Sequence, residues 1–225
     1  MFIDNNWYGN RFILSRYCKI KDKLALASIQ HGLFLPKNDL NFYKRTFQIF
    51  PWLVWDKKLK KNTEHLNQKN VECIGAPFLY LHDILKQKIK SKGTLIIPAK
   101  SSYENNEEVD FKKLINFVKN KFPKPYTILV GYFDLERVKK IRHNYRNCKF
   151  ATCGKRGNKF FTDNLYKYIN KHDNVAIFYV GSPILYSLFL KKKTFFFFNR
   201  FIKISTKKSK RLLQIKAIKK QLGED

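Results

Sequence analysis

Thr94-Leu95-Ile96-Ile97-Pro98 is a short apolar run, β-branched at its centre and closed by a proline. The chain repeats its kind four more times before residue 198, at Tyr126–Gly131, Cys148–Thr152, Asn174–Val180 and Thr194–Phe198. Runs of this length, flanked by Gly, Pro, Asn or Lys, suit strands buried on both faces. Amphipathic stretches lie between them. In 111–121, for example, Leu114, Ile115 and Val118 recur at helical spacing. Parallel strands need long, usually helical, crossovers, so five runs with four crossovers predict an α/β layer around a five-stranded parallel sheet. In such layers ligands bind beyond the carboxyl ends of the strands. The stretches placed there are Ala99–Tyr103, Tyr132–Asp134, Cys153–Asn158 and Gly181–Pro183.

Upstream of this repeat the pattern is sparser. Trp7–Cys18 predicts a short helix. Leu24–Ile29 predicts a first strand that runs into Gln30-His31-Gly32, which puts His31 at a strand end. Leu33–Phe50 is irregular and aromatic. Trp52–Trp55 and Val71–Ile74 predict two further strands. Between them Asp56 caps a lysine-rich helix reaching about Gln68. Pro77 opens a helix over about 79–90, and Ser91-Lys92-Gly93 ends it with a glycine stop. Asp134 is placed to cap a helix over 135–145, while Glu104–Asp110 predicts an acidic loop.

The expected organisation is therefore two Rossmann-like lobes. Residues 1–92 form a reduced lobe with a small parallel sheet, facing residues 93–200 across a cleft, and 201–225 form a tail. Within that tail Ser205–Leu222 predicts a basic amphipathic helix, able to lie on a membrane or to pack back on the protein. The first lobe is short for a doubly wound domain, so either it is reduced or upstream strands are missing.

Composition narrows the function classes. A hydrophobic content of 44% with 21 Phe indicates a folded chain. No apolar run approaches the roughly 20 residues that span a bilayer. The opening Met1-Phe2-Ile3-Asp4-Asn5 lacks the basic-then-apolar order of a secretory signal. The expected location is cytoplasmic, with a peripheral position at the inner face of the membrane as the alternative. Cys18, Cys73, Cys148 and Cys153 are too dispersed for a zinc or disulfide framework. The formal charge is +29, carried by 37 Lys and 9 Arg. Lys, Asn, Ile, Phe and Tyr make up 109 of 225 residues, the signature of A/T-rich codons. The Lys residues are also scattered rather than gathered in a stripe. Nucleic acid is thus a weak expectation, kept as the alternative of a non-catalytic basic module on nucleic acid or anionic membrane.

Three strand ends carry chemistry. Gly154-Lys155-Arg156-Gly157 sets two cations between glycines that let a backbone approach a phosphate; it is neither a Walker A loop nor GxGxxG. Gly181-Ser182-Pro183 heads a helix directly after a strand, where N–H groups and the dipole favour an anion. Lys100, Ser101 and Ser102 form the third. Together they predict an anionic, nucleotide-like ligand. There is no GxSxG and no His pair at metal-ligand spacing, and no cofactor or metal is implied. His65, His82, His143 and His172 lie in polar stretches and predict surface positions, which leaves His31 as the candidate catalytic residue.

Ser28-Ile29-Gln30-His31-Gly32, Trp52-Leu53-Val54-Trp55, Ile74-Gly75-Ala76-Pro77 and Val180-Gly181-Ser182-Pro183-Ile184-Leu185-Tyr186-Ser187-Leu188 together resemble GT-B-fold glycosyltransferases of bacterial surface-polysaccharide assembly. The resemblance spans about residues 24–200. It implies metal-independent transfer of a sugar from a nucleotide-sugar donor to a glycan or glycolipid acceptor. Lys155, Arg156 and the Gly181–Ser182 helix start would neutralise the leaving phosphate, and His31 would act as base or positioning group on the acceptor side. The chain departs from the pattern in two places. The opening βα units of the first lobe are missing, and Tyr186 stands where many relatives carry an acidic residue for the donor ribose. An inactive, truncated copy is the corresponding alternative.

Overall fold

The computed structural model describes residues 3–20, 27–32, 51–64, 70–86, 89–98, 107–197 and 201–204. The chain divides into two compact units. The first comprises 1–88 together with Arg156–Tyr166, and the second 89–155 together with 167–225. The expected boundary at 92/93 lies four residues further along, and nothing local marks the return of Arg156–Tyr166 to the first unit.

The second unit is the five-stranded parallel sheet expected from the repeat. Its strands are β4 (Thr94–Ile97), β6 (Tyr126–Leu129), β7 (Cys148–Ala151), β8 (Asn174–Ile177) and β9 (Lys193–Phe196), in the order β7-β6-β4-β8-β9. Every pairing is parallel, with Thr94 aligned on both Tyr126 and Asn174. From β4 the chain steps outward through β6 to β7, then returns to the other side of β4 for β8 and β9. Right-handed crossovers place the connecting helices of these two excursions on opposite faces. On the first face, α4 (Phe111–Lys121) buries Phe111, Leu114, Ile115 and Val118 against Ile96, Ile128 and Phe178, joined by Val138 of α5 (Leu135–Ile141). The Asp110 carboxylate caps α4 by accepting the Lys113 N–H at 3.0 Å. Asp134 does not cap α5 as expected. It lies buried in a 3-10 turn, Tyr132–Asp134, and its side chain makes no capping hydrogen bond to the helix.

Three further expectations are corrected. First, the Glu104–Asp110 stretch is not all loop: β5 (Glu107–Val109) pairs antiparallel with β10 (Ile202–Ile204). Val109 is drawn into the core, and Phe201 packs on Phe117 and Phe178 at 5.3 and 6.1 Å. Residues 201–204 are accordingly turn and strand, while the predicted helix over 205–222 lies outside the described residues. Second, Gly93 is not a helix stop. It enters β4 at φ +77°, and a Cβ there would stand 2.2 Å from the Pro125 carbonyl oxygen. The adjacent Thr94 N–H donates to that carbonyl at 2.9 Å. Third, the preceding helix, α3 (Pro77–Leu85), ends earlier than expected because Lys86 turns left-handed and its N–H donates to the His82 carbonyl.

In the first unit β1 (Ser28–Ile29), β2 (Trp52–Val54) and β3 (Val71–Cys73) form a separate parallel sheet in that order. Trp52, Val54 and Val71 bury one face with Leu59 of α2 (Lys57–Glu64). Asp56 caps α2 as expected, accepting the Leu59 N–H at 2.7 Å. The N-terminal helix starts later than the pattern suggests. A 3-10 segment, Ile3–Gly9, breaks at Trp7–Gly9 before α1 (Asn10–Tyr17) begins. No helix among the described residues is long and apolar enough to cross a membrane.

Candidate functional site

Each unit carries its own candidate. In the second unit the direction of strand addition reverses between β4 and β8, after Ile97 and Ile177, the place where doubly wound sheets take their ligands. Pro98 and Phe178–Ser182 follow these ends. Gly181 and Ser182 thus stand at the switch point. Lys100, Ser101 and Ser102 follow β4 in sequence and lie outside the described residues. Ser182 makes no side-chain cap to α7 (Pro183–Phe189), Pro183 has no N–H, and the Ile184 N–H already donates to the Gly181 carbonyl at 3.1 Å. The helix start therefore offers fewer amide donors than its sequence suggests.

Gly154 and Lys155 follow β7, at the sheet edge. Three interstrand steps separate β7 from β8, about 14 Å at the usual spacing. One phosphate cannot touch both backbones. The Lys155 ammonium leans back over the Tyr132 ring, 5.1 Å from its centroid, towards the end of β6. Gly154 is left-handed at φ +93°, and its N–H donates to Thr152 Oγ1.

Arg156 belongs to the first unit, where it meets residues absent from the sequence expectation. Tyr8 sits at φ 60° and Gly9 at φ +76°. Left-handed geometry costs a non-glycine residue about 1–2 kcal/mol, so something must hold it. The Tyr8 N–H donates to the Arg156 carbonyl at 2.7 Å, the Thr162 hydroxyl donates to the Tyr8 carbonyl, and the Tyr8 ring meets Phe161 edge-on at 5.0 Å. At Gly9 a Cβ would stand 2.3 Å from the Lys159 carbonyl oxygen, so only glycine fits. This stitching lays the Arg156 guanidinium over Trp7 at 4.5 Å and near Tyr8 at 5.9 Å.

His31 completes the cluster. Its ring stands edge-on to Trp7 at 4.6 Å and roughly parallel to Tyr8 at 6.3 Å. Gln30 fixes its backbone. The Gln30 amide donates to the Gly32 carbonyl at 2.7 Å and accepts the Trp55 N–H at 2.7 Å, while the Gln30 carbonyl accepts the Trp55 indole N–H at 2.9 Å. Burial, reinforced by the positive charge of Arg156, lowers the His31 pKa to about 4. The imidazole is therefore neutral at pH 7, able to accept a hydrogen bond but a weak proton acceptor.

Of the other histidines, His172 is not a surface residue. Its Nδ1–H donates to the Tyr168 carbonyl at 2.6 Å, and its Nε2 accepts the Thr127 hydroxyl at 2.9 Å. Burial lowers its pKa. His82 is half-buried against the Tyr166 hydroxyl at 3.1 Å; His143 is exposed; His65 lies outside the described residues. No cluster of His, Cys, Asp or Glu suited to a metal ion occurs among the described residues.

Comparison with known protein families, with curated proteins and with solved structures finds no match for this chain.

Proposed function

We propose that the chain is a GT-B-like glycosyltransferase that moves a sugar from a nucleotide-sugar donor to a glycan or glycolipid acceptor. The observation that carries this reading is the strand order β7-β6-β4-β8-β9, with Gly181 and Ser182 at its reversal point. Doubly wound sheets hold nucleotides at that place because loops of opposite excursions part there. In this reading the second unit takes the donor. The Ser182 hydroxyl, which makes no cap to its helix, donates to a phosphate oxygen, and Lys155 meets a more distant part of the ligand. Stabilising the leaving nucleoside phosphate is then the main catalytic contribution. The first unit contributes His31, which at a pKa of about 4 positions an acceptor hydroxyl rather than fully deprotonating it.

Calorimetric titration with a panel of nucleotide sugars tests the reading. One member should bind saturably, and amide exchange should slow in peptides covering 94–98 and 178–184. Charge-assisted hydrogen bonds stabilise by about 1.5–3 kcal/mol each. Replacing Lys155 and Ser182 together by Ala should thus weaken binding tenfold or more. The pair Lys57→Ala and Lys58→Ala, on exposed α2 positions, should leave it nearly unchanged. Equal losses from the two pairs would reduce the effect to diffuse charge and remove the donor site.

A membrane-bound acceptor is favoured by one further feature. Leu185, Leu188 and Phe189 stand one helical turn apart on α7 and are 46%, 56% and 43% exposed. Lys191 and Lys193, both exposed, follow directly, and basic residues beside an apolar face suit an anionic bilayer surface. The full chain should co-sediment with phosphatidylserine-containing vesicles, and Leu188→Glu should abolish this. Unchanged sedimentation of that variant would exclude the α7 face.

A further inference from the structure

The Arg156 side chain is half-buried, and no carboxylate pairs with it among the described residues. The nearby acid on the same returning segment, Asp163, is already taken: Arg16 holds it with two parallel bonds of 2.8 and 3.0 Å. Removing a guanidinium from water without a counter-charge is unfavourable. Trp7 and Tyr8 offset part of that cost through the face of the group. They leave its in-plane N–H donors for another acceptor, in the forked geometry that matches an oxyanion. The group is also held still. The backbone of Arg156 is bonded to Tyr8, whose strained left-handed conformation the same contacts enforce. A guanidinium held over aromatic rings, with no carboxylate paired to it among the described residues and a neutral imidazole beside it, is the arrangement of an anion site.

We propose that Arg156, on its Trp7–Tyr8 floor and beside His31, binds the carboxylate or phosphate of an anionic sugar. The sugar part rests on the glycosyltransferase reading; the anion part rests on the geometry alone. The site lies within the first unit, on the side that reading assigns to the acceptor. It therefore separates Arg156 from Lys155 in role as well as in place. The shared ligand chemistry is a planar or tetrahedral oxyanion attached to a hexose.

Three probes distinguish its sources: glucuronate, glucose 1-phosphate and uncharged glucose, each titrated into the full chain by calorimetry. At least one anionic probe should bind and glucose should not. A preference between the two identifies the anion as carboxylate or phosphate. Arg156→Lys keeps the charge but loses the fork and the stack, and should weaken binding tenfold or more. Lys159→Ala, an exposed cation on the same segment, should change it less than twofold. Should Arg156→Lys fail to fold, phenylglyoxal labelling of the wild-type chain gives a separate readout. Modification of Arg156, located by mass spectrometry, should be slowed by the bound anionic sugar and not by glucose. Equal binding of all three probes, equal losses from the two variants, or labelling indifferent to ligand would each overturn the proposal. Nucleotide-sugar titrations of the same proteins keep the two ideas apart. Lost anionic-sugar binding with nucleotide binding intact sinks only the Arg156 site. Lost nucleotide binding with the Arg156 site intact sinks the transferase reading.

Discussion

In the five-stranded sheet, β4, β6 and β8 each bury all four of their residues. In the three-stranded sheet β3 buries Val71 and leaves Glu72 exposed, and β1 is only two residues long. The first kind of sheet stabilises itself, because each central strand contributes apolar area on both faces. The second cannot, since strands this short bury little. The first unit recruits distant pieces instead: a kinked N-terminal turn and the returning segment Arg156–Tyr166, joined by backbone bonds, an ion pair and ring contacts. Its candidate site lies on that seam. One unit is held by buried strands, the other by a few long-range stitches.

The contrast can be broken first at its stronger side. Phe178 is fully buried and stacks on Phe197 at 5.2 Å within the second unit's core. Phe178→Ala should cost about 3–5 kcal/mol, measured by urea unfolding followed through far-UV circular dichroism. A loss under about 1 kcal/mol would mean that the aromatic layer does not hold that sheet.

Gly9 probes the other side. Gly9→Ala must adopt a left-handed backbone and displace the Lys159 carbonyl, so about 2–3 kcal/mol should be lost. All three tryptophans, Trp7, Trp52 and Trp55, fall in residues 1–88, so tryptophan fluorescence reports the first unit. An unshifted fluorescence transition would show that the stitching around Tyr8 is dispensable.

A smaller effect sharpens the comparison through pH. The His31 pKa is about 4 when folded, against 6.5 for the free side chain. The unfolded chain therefore binds the proton more readily, and stability present above pH 6.5 is lost as the pH falls towards 4. Between pH 7 and pH 5 the loss should be about 2 kcal/mol. His172, also lowered, acts in the same direction in the second unit. His31→Gln should flatten the fluorescence-detected pH dependence while leaving the His172 contribution in place. An unchanged slope in that variant would remove His31 from the buried cluster.

What the sequence made legible follows the same division. Three of the five apolar runs announced the large sheet because a strand buried on both faces must be apolar along its length, as in Ile96-Ile97 and Val175-Ala176-Ile177. The strands β7 and β9, at the sheet edges, are not buried as their runs suggest, since each has a neighbour on one side only. The small sheet was legible for a related reason: Trp52 and Val54 alternate with a less buried Leu53. Pairings between remote, polar-looking segments were not legible. Glu107-Glu108 reads as loop until Ile202–Ile204 is beside it, and no local signal sends Arg156 to Trp7. The left-handed turn at Tyr8 was hinted at only by Gly9. His172 was misread because Lys171 and Asp173 flank it, although its burial depends on Thr127 and Tyr168 rather than on its sequence neighbours. Of the candidate site, His31 could be found from its strand-end position, whereas the aromatic floor under Arg156 could not.

The antiparallel pair β5–β10 also sets a schedule for synthesis. A chain leaving the ribosome N-terminus first holds Phe117 long before Phe201 exists to cover it, and Tyr8 long before Arg156. Neither unit can close in the order in which it is made. A nascent chain stalled at residue 155 should be digested readily by protease, and one released after residue 204 should resist. The first unit then finishes only after Tyr166 and the second only after Ile204, both late in translation, and until then the emerging protein depends on whatever shields exposed aromatic surface in the cell.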